Sequence, residues 1–419
     1  MEKLIKCRNC KKKNLKKSFS LGNLSYSGKF AKNKQINIPK NYLSLLLCQS
    51  CGLVQLDRNF DPKYMYSDDY GYRSGINKTM RDHLISVTKD LAKRSNLKSL
   101  DMVMDIASND ATLLNSYKIK KLIKVGVDPI LSKFSKEYKK IDHKINNFFS
   151  YSLIDKLKLK KKFTLITAIS MFYDLKDPNK FLKDVEKVLD PKKGIFLLEQ
   201  ADLFSIIKKN MFDTICHEHL EYYSYEVINQ MLKKNNLRII DAKRNSINGG
   251  SIRFYITSKK SIYKINTKEI NKIKNQEKKL KLNKITTYQK FFRKIFLQKK
   301  KLLFLLKKIK KNNNTICGYG ASTKGNILLQ FFGIDNYFLD HISDRNKEKD
   351  NCYTPGTKIK IITEKKSRNF RPDYYLVLPW HFKNEILERE KNIIKKGTKF
   401  IFPLPKLTIV SKNNPHLVK

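Results

Sequence analysis

The chain has 419 residues, 41% of them hydrophobic, which is enough for two or three domains with cores of their own. Its 88 Lys and Arg against 38 Asp and Glu give a formal charge of +50, yet the lysines are spread along the whole length and form no stripe that would track a nucleic acid. No run of eighteen apolar residues is present, which argues against a membrane-spanning helix, and Met1–Cys7 has no apolar signal-peptide stretch, so a cytoplasmic protein with reduced cysteines is expected.

Four of the seven cysteines fall into two pairs, Cys7-x-x-Cys10 and Cys48-x-x-Cys51. Each pair can place two thiolates on one tight knuckle, and two knuckles make a tetrahedral zinc site with no open position for a substrate. Cys7, Cys10, Cys48 and Cys51 are therefore expected to hold a structural Zn2+. A redox role is the alternative, and a nucleic-acid finger would lack its reading helix. Residues 64–75 follow, with four tyrosines and two glycines. Such a loop suits the wall of a small-molecule site, because each ring stacks and also hydrogen-bonds, although interdomain packing would use it equally well.

Residues 77–96 read as a helix with apolar positions Met80, Leu84, Ile85, Val87 and Leu91. Residues 102–107 read as a buried strand entering the turn Ser108-Asn109-Asp110-Ala111, and a second strand ends at Asp128. This is the logic of a nucleotide-binding βαβ unit, in which an acid closing the second strand bonds ribose hydroxyls. The turn lacks the Gly-x-Gly that accommodates a pyrophosphate. It suits S-adenosylmethionine, which carries a ribose and a cationic methionine moiety but no phosphate. Further strands over 163–169 and 194–199 complete an open, mainly parallel sheet. Ligands sit at the carboxyl ends of such strands, where Asp105, Asp128, Ser170 and Glu199 converge.

The stretch Asp213–Tyr223 holds two of the seven histidines with a carboxylate between them. A neutral imidazole is well placed to take a proton near pH 7, with neighbouring Glu and Tyr groups fixing its tautomer. A zinc-protease helix would need His-Glu-x-x-His, and position 221 is Glu. A solvated polar turn is the plainer reading of the cluster by itself.

From about 258 to 314 the chain is dense in lysine, with aromatic and aliphatic residues at helical spacing, which reads as one or two helices packed on one face. Residues 315–326 form a second strand–turn–helix pattern, Cys317-Gly318-Tyr319-Gly320-Ala321-Ser322-Thr323-Lys324. Its glycines let backbone N–H groups approach an anion, with Ser322 and Lys324 as added donors, and the next strand ends at Asp344.

Taken together, the four cysteines, Tyr70–Gly75, Ser108–Leu114, Asp213–Tyr223, Asn248–Ser251, Tyr353–Gly356, Pro372–Tyr374 and Leu378–Phe382 resemble the sugar C-methyltransferases that act on nucleotide-linked keto-deoxysugars. The resemblance covers nearly the whole chain. It implies an α/β protein with a zinc-binding domain over 1–70, a class I (Rossmann-like) S-adenosylmethionine-dependent methyltransferase domain over 71–260, a helical linker over 261–314 and a Rossmann-like α/β domain holding the nucleotide sugar over 315–419. It assigns His219 as general base, with Glu218, His217 and Tyr72 orienting the base, the substrate or its enolate. Asp105, Ala107, Ser108, Asn109, Asp110, Asp128 and Ser170 fall to the cofactor. Tyr70, Cys216, Tyr222, Gly320, Ser322, Lys324 and Asp344 fall to a nucleotide-diphosphate keto-deoxysugar substrate, with no nucleic-acid partner. Two residues depart from the family pattern: Ala111 stands where glycine is usual, and Cys216 where many members have tyrosine. An RNA methyltransferase and a non-enzymatic sugar-nucleotide scaffold are the rival expectations. The first predicts salt-sensitive RNA binding, and the second predicts binding without turnover.

Overall fold

The computed structural model describes residues 3–61 and 72–414, which arrange around three sheets. The first opens with β1 (Leu15–Ser25), β2 (Lys40–Cys48) and β3 (Val54–Leu56), an antiparallel meander whose positions Leu43, Leu45 and Leu47 are buried at the two-residue period of a strand. Its fourth strand comes from far along the chain. β9 (Glu221–Tyr222) pairs antiparallel with β3, with Gln55 opposite Glu221. The segment directly after His219 is thus stitched into the cysteine-bearing sheet.

The central sheet contains β4 (Met102–Ile106), β5 (Ile123–Val127), β6 (His143–Ile145), β7 (Leu165–Ile169), β8 (Ile195–Ala201), β10 (Leu237–Asn245) and β11 (Ser251–Ser258), in the order β10-β11-β8-β7-β4-β5-β6. β11 alone runs against its neighbours. The inner strands are apolar on both faces because helices cover both. Ile195 and Leu197 face Leu84, Val87 and Leu91 of the helix Lys78–Ser95. Phe196 and Leu198 face Phe181, Leu182 and Val185 of the helix Pro178–Val188. That second helix starts where it does because Asp177 accepts the Lys180 N–H at 3.2 Å and Pro178 needs no partner in the first turn. The connection between β6 and β7 jumps to the other side of β4, so the strand order reverses between β4 and β7 and a crevice opens above their carboxyl ends.

The third sheet is β12 (Ile316–Tyr319), β13 (Ile342–Asp344), β14 (Ile361–Thr363), β15 (Tyr374–Val377), β16 (Lys399–Phe402) and β17 (Thr408–Val410), ordered β14-β13-β12-β15-β16-β17, with only β17 antiparallel. It is a second doubly wound unit. Ser322 caps the helix Thr323–Phe332 by accepting the Gly325 N–H at 3.0 Å, and Gly333 closes it with φ 71°. Between the second and third sheets run the helices Thr267–Leu280 and Ile285–Lys311. The longer one buries Tyr288, Phe291, Ile295, Leu302, Leu306 and Ile309, a stripe at three- and four-residue spacing, and turns its lysines outward. Phe19 of β1 stacks on Phe292 of that helix at 4.8 Å. Among the described residues no helix is long and apolar enough to cross a membrane.

The loop after β1 reaches into the third sheet's layer. Asn326 donates to the Ser27 carbonyl at 2.7 Å, Gln330 and Ser25 exchange hydrogen bonds, and Ala31 bridges to Tyr353. This insertion carries Gly28 and Phe30 to the mouth of the crevice.

Candidate active site and metal knuckle

The thiols of Cys7, Cys10, Cys48 and Cys51 all lie within 4.8 Å of one another, with Cys7 3.6 Å from Cys51 and Cys10 3.6 Å from Cys48. A tetrahedral zinc with Zn–S bonds of about 2.3 Å separates its sulfurs by about 3.8 Å, close to the two 3.6 Å separations, so the four residues fit that ion. Gln55 donates its side-chain N–H to the Cys7 sulfur at 3.3 Å, the outer bond that commonly orients a thiolate ligand.

A cavity of about 580 Å3 lies above the central sheet and is walled by all three sheet units. On its central-sheet side stand Asp105, Ala107, Ser108, Asn109, Asp128 and Ser170. The turn after β4 alternates into left-handed backbone, with φ of 58° at Ala107, 50° at Asn109 and 55° at Ala111. At Ala111 this is the region glycine fills at no steric cost, which is why glycine suits that position. Asp128 accepts the N–H groups of Asn109 and Ile130 at 2.8 and 2.9 Å, one on each oxygen, leaving further lone pairs for a ligand hydroxyl. Burial pushes Asp105 up to about 7, although it accepts the Thr167 hydroxyl at 2.6 Å. Asp110 is placed otherwise. It turns from the cavity to accept Arg73 at 3.1 Å and the Gly75 N–H at 2.9 Å, fastening residues 73–75 to the turn. Glu199 is likewise turned inward, held by Arg253 at 2.6 Å and His83 at 2.5 Å.

From the His-Glu-His stretch, Cys216, Glu218 and His219 reach the cavity. His219 donates Nδ1–H to the Thr214 carbonyl at 2.7 Å, which leaves Nε2 with its lone pair. Its ring lies 4.1 Å from that of Tyr173. Burial, and then the Lys324 ammonium, push its pKa down to about 3. Burial drives Glu218 the other way, up to about 7. Gly28 gives this carboxylate its room, since a Cβ there would stand 2.3 Å from the Glu218 Oε1. His217 points away from the cavity. It is fully buried between the rings of Tyr26 and Phe60, 4.6 and 5.0 Å off, with Nε2 3.2 Å from the Asn41 carbonyl. It orients neither base nor substrate by contact, because the chain bends at 217–218, with the His219 N–H donating to the Cys216 carbonyl at 3.2 Å, and the imidazole at 217 packs into the aromatic core. Tyr222 is also buried off the cavity wall, in the pairing of β9 with β3. Tyr72 does line the cavity, 41% exposed, whereas Tyr70 lies outside the described residues.

The third sheet supplies Gly320, Ser322, Lys324 and Asp344. Gly320 has φ 80° and sits so close to Pro379 that a Cβ would stand 2.5 Å from that ring. Asp344 accepts the N–H groups of Ala321 and Asn346, both at 2.7 Å. Lys324 crosses to the central unit and donates to the Asn248 carbonyl at 2.9 Å, and burial lowers its pKa. Trp380 makes a second crossing, its indole N–H donating to Asp213 at 2.7 Å. Composition and spacing did not single out Gly28, Phe30, Tyr173, Asn248, Arg345 or Lys349, all of which also line the cavity. Only Asn248 carried a signal, the Asn-Gly-Gly-Ser sequence at a sharp turn.

Three families match the chain in succession: a zinc binding domain over residues 7–66, a methyltransferase domain over 76–242 and a C-methyltransferase C-terminal domain over 246–405. The chain belongs to the S-adenosylmethionine-dependent C-methyltransferases with an amino-terminal zinc-binding domain. It is similar to C-methyltransferase NovU of Streptomyces niveus, 25% identical over 370 residues that span 88% of this chain and 87% of the relative. Among solved structures it overlaps an S-adenosylmethionine-dependent methyltransferase of Clostridium acetobutylicum, at 15% identity, 42% of this chain, 92% of the other and TM-score 0.33. It also overlaps magnesium protoporphyrin IX methyltransferase of Synechocystis, at 12% identity, 47% of this chain, 92% of the other and TM-score 0.33.

In this C-methyltransferase the Asp105–Asn109 turn and Asp128 share one wall of the cavity. Two buried carboxylates facing one cavity fit a cationic, hydroxyl-bearing ligand. The pH dependence follows with a definite sign. Below about pH 7 the ligand-free Asp105 is protonated, and a cation beside it requires the carboxylate, so each binding event there releases a proton. Donor affinity is expected to fall by up to about tenfold per pH unit below 7 and to level off above about pH 8. Calorimetry in two buffers of different ionisation heat reads both the affinity and the proton released. Asp128→Asn is expected to weaken the donor about tenfold, by losing a charged acceptor for its hydroxyls, in the same titration.

Proposed function

We propose that this C-methyltransferase methylates a carbon next to the carbonyl of a nucleotide-linked keto-deoxysugar. The observation that supports this is the position of Glu218 and His219, on one cavity wall between the donor turn and the glycine-rich turn of a second nucleotide-binding-type sheet. That second turn offers an anion the capped start of the helix Thr323–Phe332, with the cations Lys324, Arg345 and Lys349 on the same wall. Two nucleotide-binding units facing one cavity suit a reaction with two such ligands.

The adjacent carbonyl acidifies the C–H bond to be broken. His219 takes the proton at Nε2, and the Thr214 carbonyl holds the opposite nitrogen protonated through the step. The Lys324 ammonium faces the negative charge that develops on the substrate oxygen. The tyrosines at 72 and 173 close the wall around the reacting carbon and keep water from it. When bound, S-adenosylmethionine supplies the electrophilic methyl group that the carbon accepts. Zinc stays at the knuckle and takes no part in the chemistry.

A second reading gives the proton to Glu218. It is favoured by one observation, the carboxyl's pKa of about 7, which matches a base working near neutrality better than an imidazole at about 3. The imidazole value reflects burial and the Lys324 ammonium that acts on His219. An enolate forming between them stabilises the imidazolium and moves His219 up, so His219 remains the preferred base. The two readings separate in proton–deuterium exchange of the substrate C–H in heavy water. His219→Ala abolishes the exchange on the first reading and spares it on the second.

A further inference from the structure

Between the metal knuckle and the strand that follows His219 lies a buried ion pair outside the cavity. Arg8 sits inside Cys7-x-x-Cys10 and is 2% exposed, while Glu221 on β9 is 1% exposed. Arg8 Nε is 3.5 Å from Glu221 Oε1. Neither carboxylate oxygen of Glu221 receives a hydrogen bond, so the guanidinium is the charge that compensates it. The rest of Arg8 is committed to the same neighbourhood. Its Nη1 donates to the carbonyls of Leu56 at 2.9 Å and Leu220 at 3.4 Å, and its Nη2 donates to the carbonyl of Arg58 at 2.8 Å. Its backbone N–H donates to Gln55 Oε1 at 3.0 Å, while Gln55 Nε2 holds the Cys7 sulfur. Gln55 is also the register partner of Glu221, and Leu220, next to His219, accepts the Leu56 N–H at 2.8 Å. One unbroken set of contacts therefore runs from a metal-ligand sulfur through Gln55 and Arg8 to the two residues after His219.

A buried carboxylate with one cation and no hydrogen bond is a poor source of stability, and removing that cation leaves an uncompensated charge. Such a pair acts as a register pin. We infer that Arg8 and Glu221 are positioning residues through which the metal-bound knuckle sets the placement of Glu218 and His219 on the cavity wall. Loss of the metal then loosens the loop 214–222 without disturbing the donor wall on the central sheet. The consequence for turnover rests on the reading of His219 as base, but the coupling itself does not.

Hydrogen exchange read by mass spectrometry on the full, zinc-loaded chain tests this. Exchange across 214–222 is expected to rise at least about tenfold in chelator-stripped wild type and in metal-loaded Arg8→Gln and Glu221→Gln, with β4 and β12 unchanged. Glu221→Gln leaves the knuckle sequence intact, so it covers the case in which Arg8→Gln releases its metal. The double variant Arg8→Gln with Glu221→Gln is expected to recover part of the protection, because no unpaired charge remains. In the single variants kcat falls while the donor Kd stays within about twofold, a split that general destabilisation would not produce. Wild-type protection of 214–222 in the stripped protein and in both loaded variants would overturn the inference, and so would an equal rise throughout the chain. Should His219→Ala retain full activity, the base assignment falls while the exchange result still decides the coupling.

Discussion

His219→Ala is expected to lower kcat by about 10³-fold, within the usual range for a positioned general base, and to leave the donor Kd within about twofold. The proposed donor wall is the turn after β4 with Asp128, and none of its hydrogen bonds passes through residue 219. The substitution does remove the Nδ1–Thr214 bond and the contact with Tyr173, which costs about 1 kcal/mol of local stability. His219→Asn separates the two effects, because its amide can still donate to the Thr214 carbonyl yet offers no basic nitrogen. It is expected to be as inactive as the alanine variant. Glu218→Gln is expected to lose only about tenfold if it orients and polarises the base, and about 10³-fold if it is the base. With His219 held near 3 by burial and Lys324, the acid limb of kcat/KM falls to the groups near 7, Asp105 and Glu218, so activity is expected to drop as pH falls through that value. Rapid-quench turnover and calorimetry on the same preparations check all of these.

Removing the metal is expected to have the largest effect on folding. Structural zinc contributes on the order of 10 kcal/mol to the small units that hold it, comparable to the whole stability of a domain. The first sheet does not depend on zinc alone, because Leu43, Leu45 and Leu47 of β2 are buried in a core shared with the third sheet unit. Stripping the metal, or Cys48→Ser, is therefore expected to leave the central and third sheets folded. The knuckle and β9 lose order, and methyl transfer falls with them. Differential scanning calorimetry is expected to show an early transition in the stripped protein that zinc restores. Limited proteolysis is expected to cut first between Cys10 and Cys48. An unchanged melting profile with all four cysteines unmetallated would contradict the structural role.

Some of this arrangement is legible in the residues and some is not, for physical reasons. The cysteine pairs announce themselves because two Cys-x-x-Cys knuckles place four thiols where one metal ion can take them all. The strands ending at Asp105 and Asp128 are legible because a central parallel strand must be apolar on both faces and its ligand-facing acid falls at the end. The placement of β9 in the first sheet is not. A two-residue strand has no period to read, and its partner lies more than 160 residues away. His217 looks equivalent to His219 in the sequence, and only the bend at 217–218, which has no period to read, separates the two rings. Asp110 follows the donor turn as a ligand-facing acid would, and its pairing with Arg73 depends on how a distant segment docks. The hairpin loop that carries Gly28 to Glu218 has no chemical signature of its own. Glycine matters there only because a carboxylate arrives from another unit.

The most direct test of the central claim follows the methyl group itself. The zinc-loaded chain would be given S-adenosylmethionine with an isotope-labelled methyl and a panel of thymidine- and guanosine-diphosphate keto sugars, with the product read by carbon NMR and mass spectrometry. One sugar nucleotide is expected to gain a carbon-bound methyl next to its carbonyl, with prior loss of that carbon's proton. A methyl on oxygen, or no transfer to any keto sugar by a folded chain that binds the donor, would contradict the account.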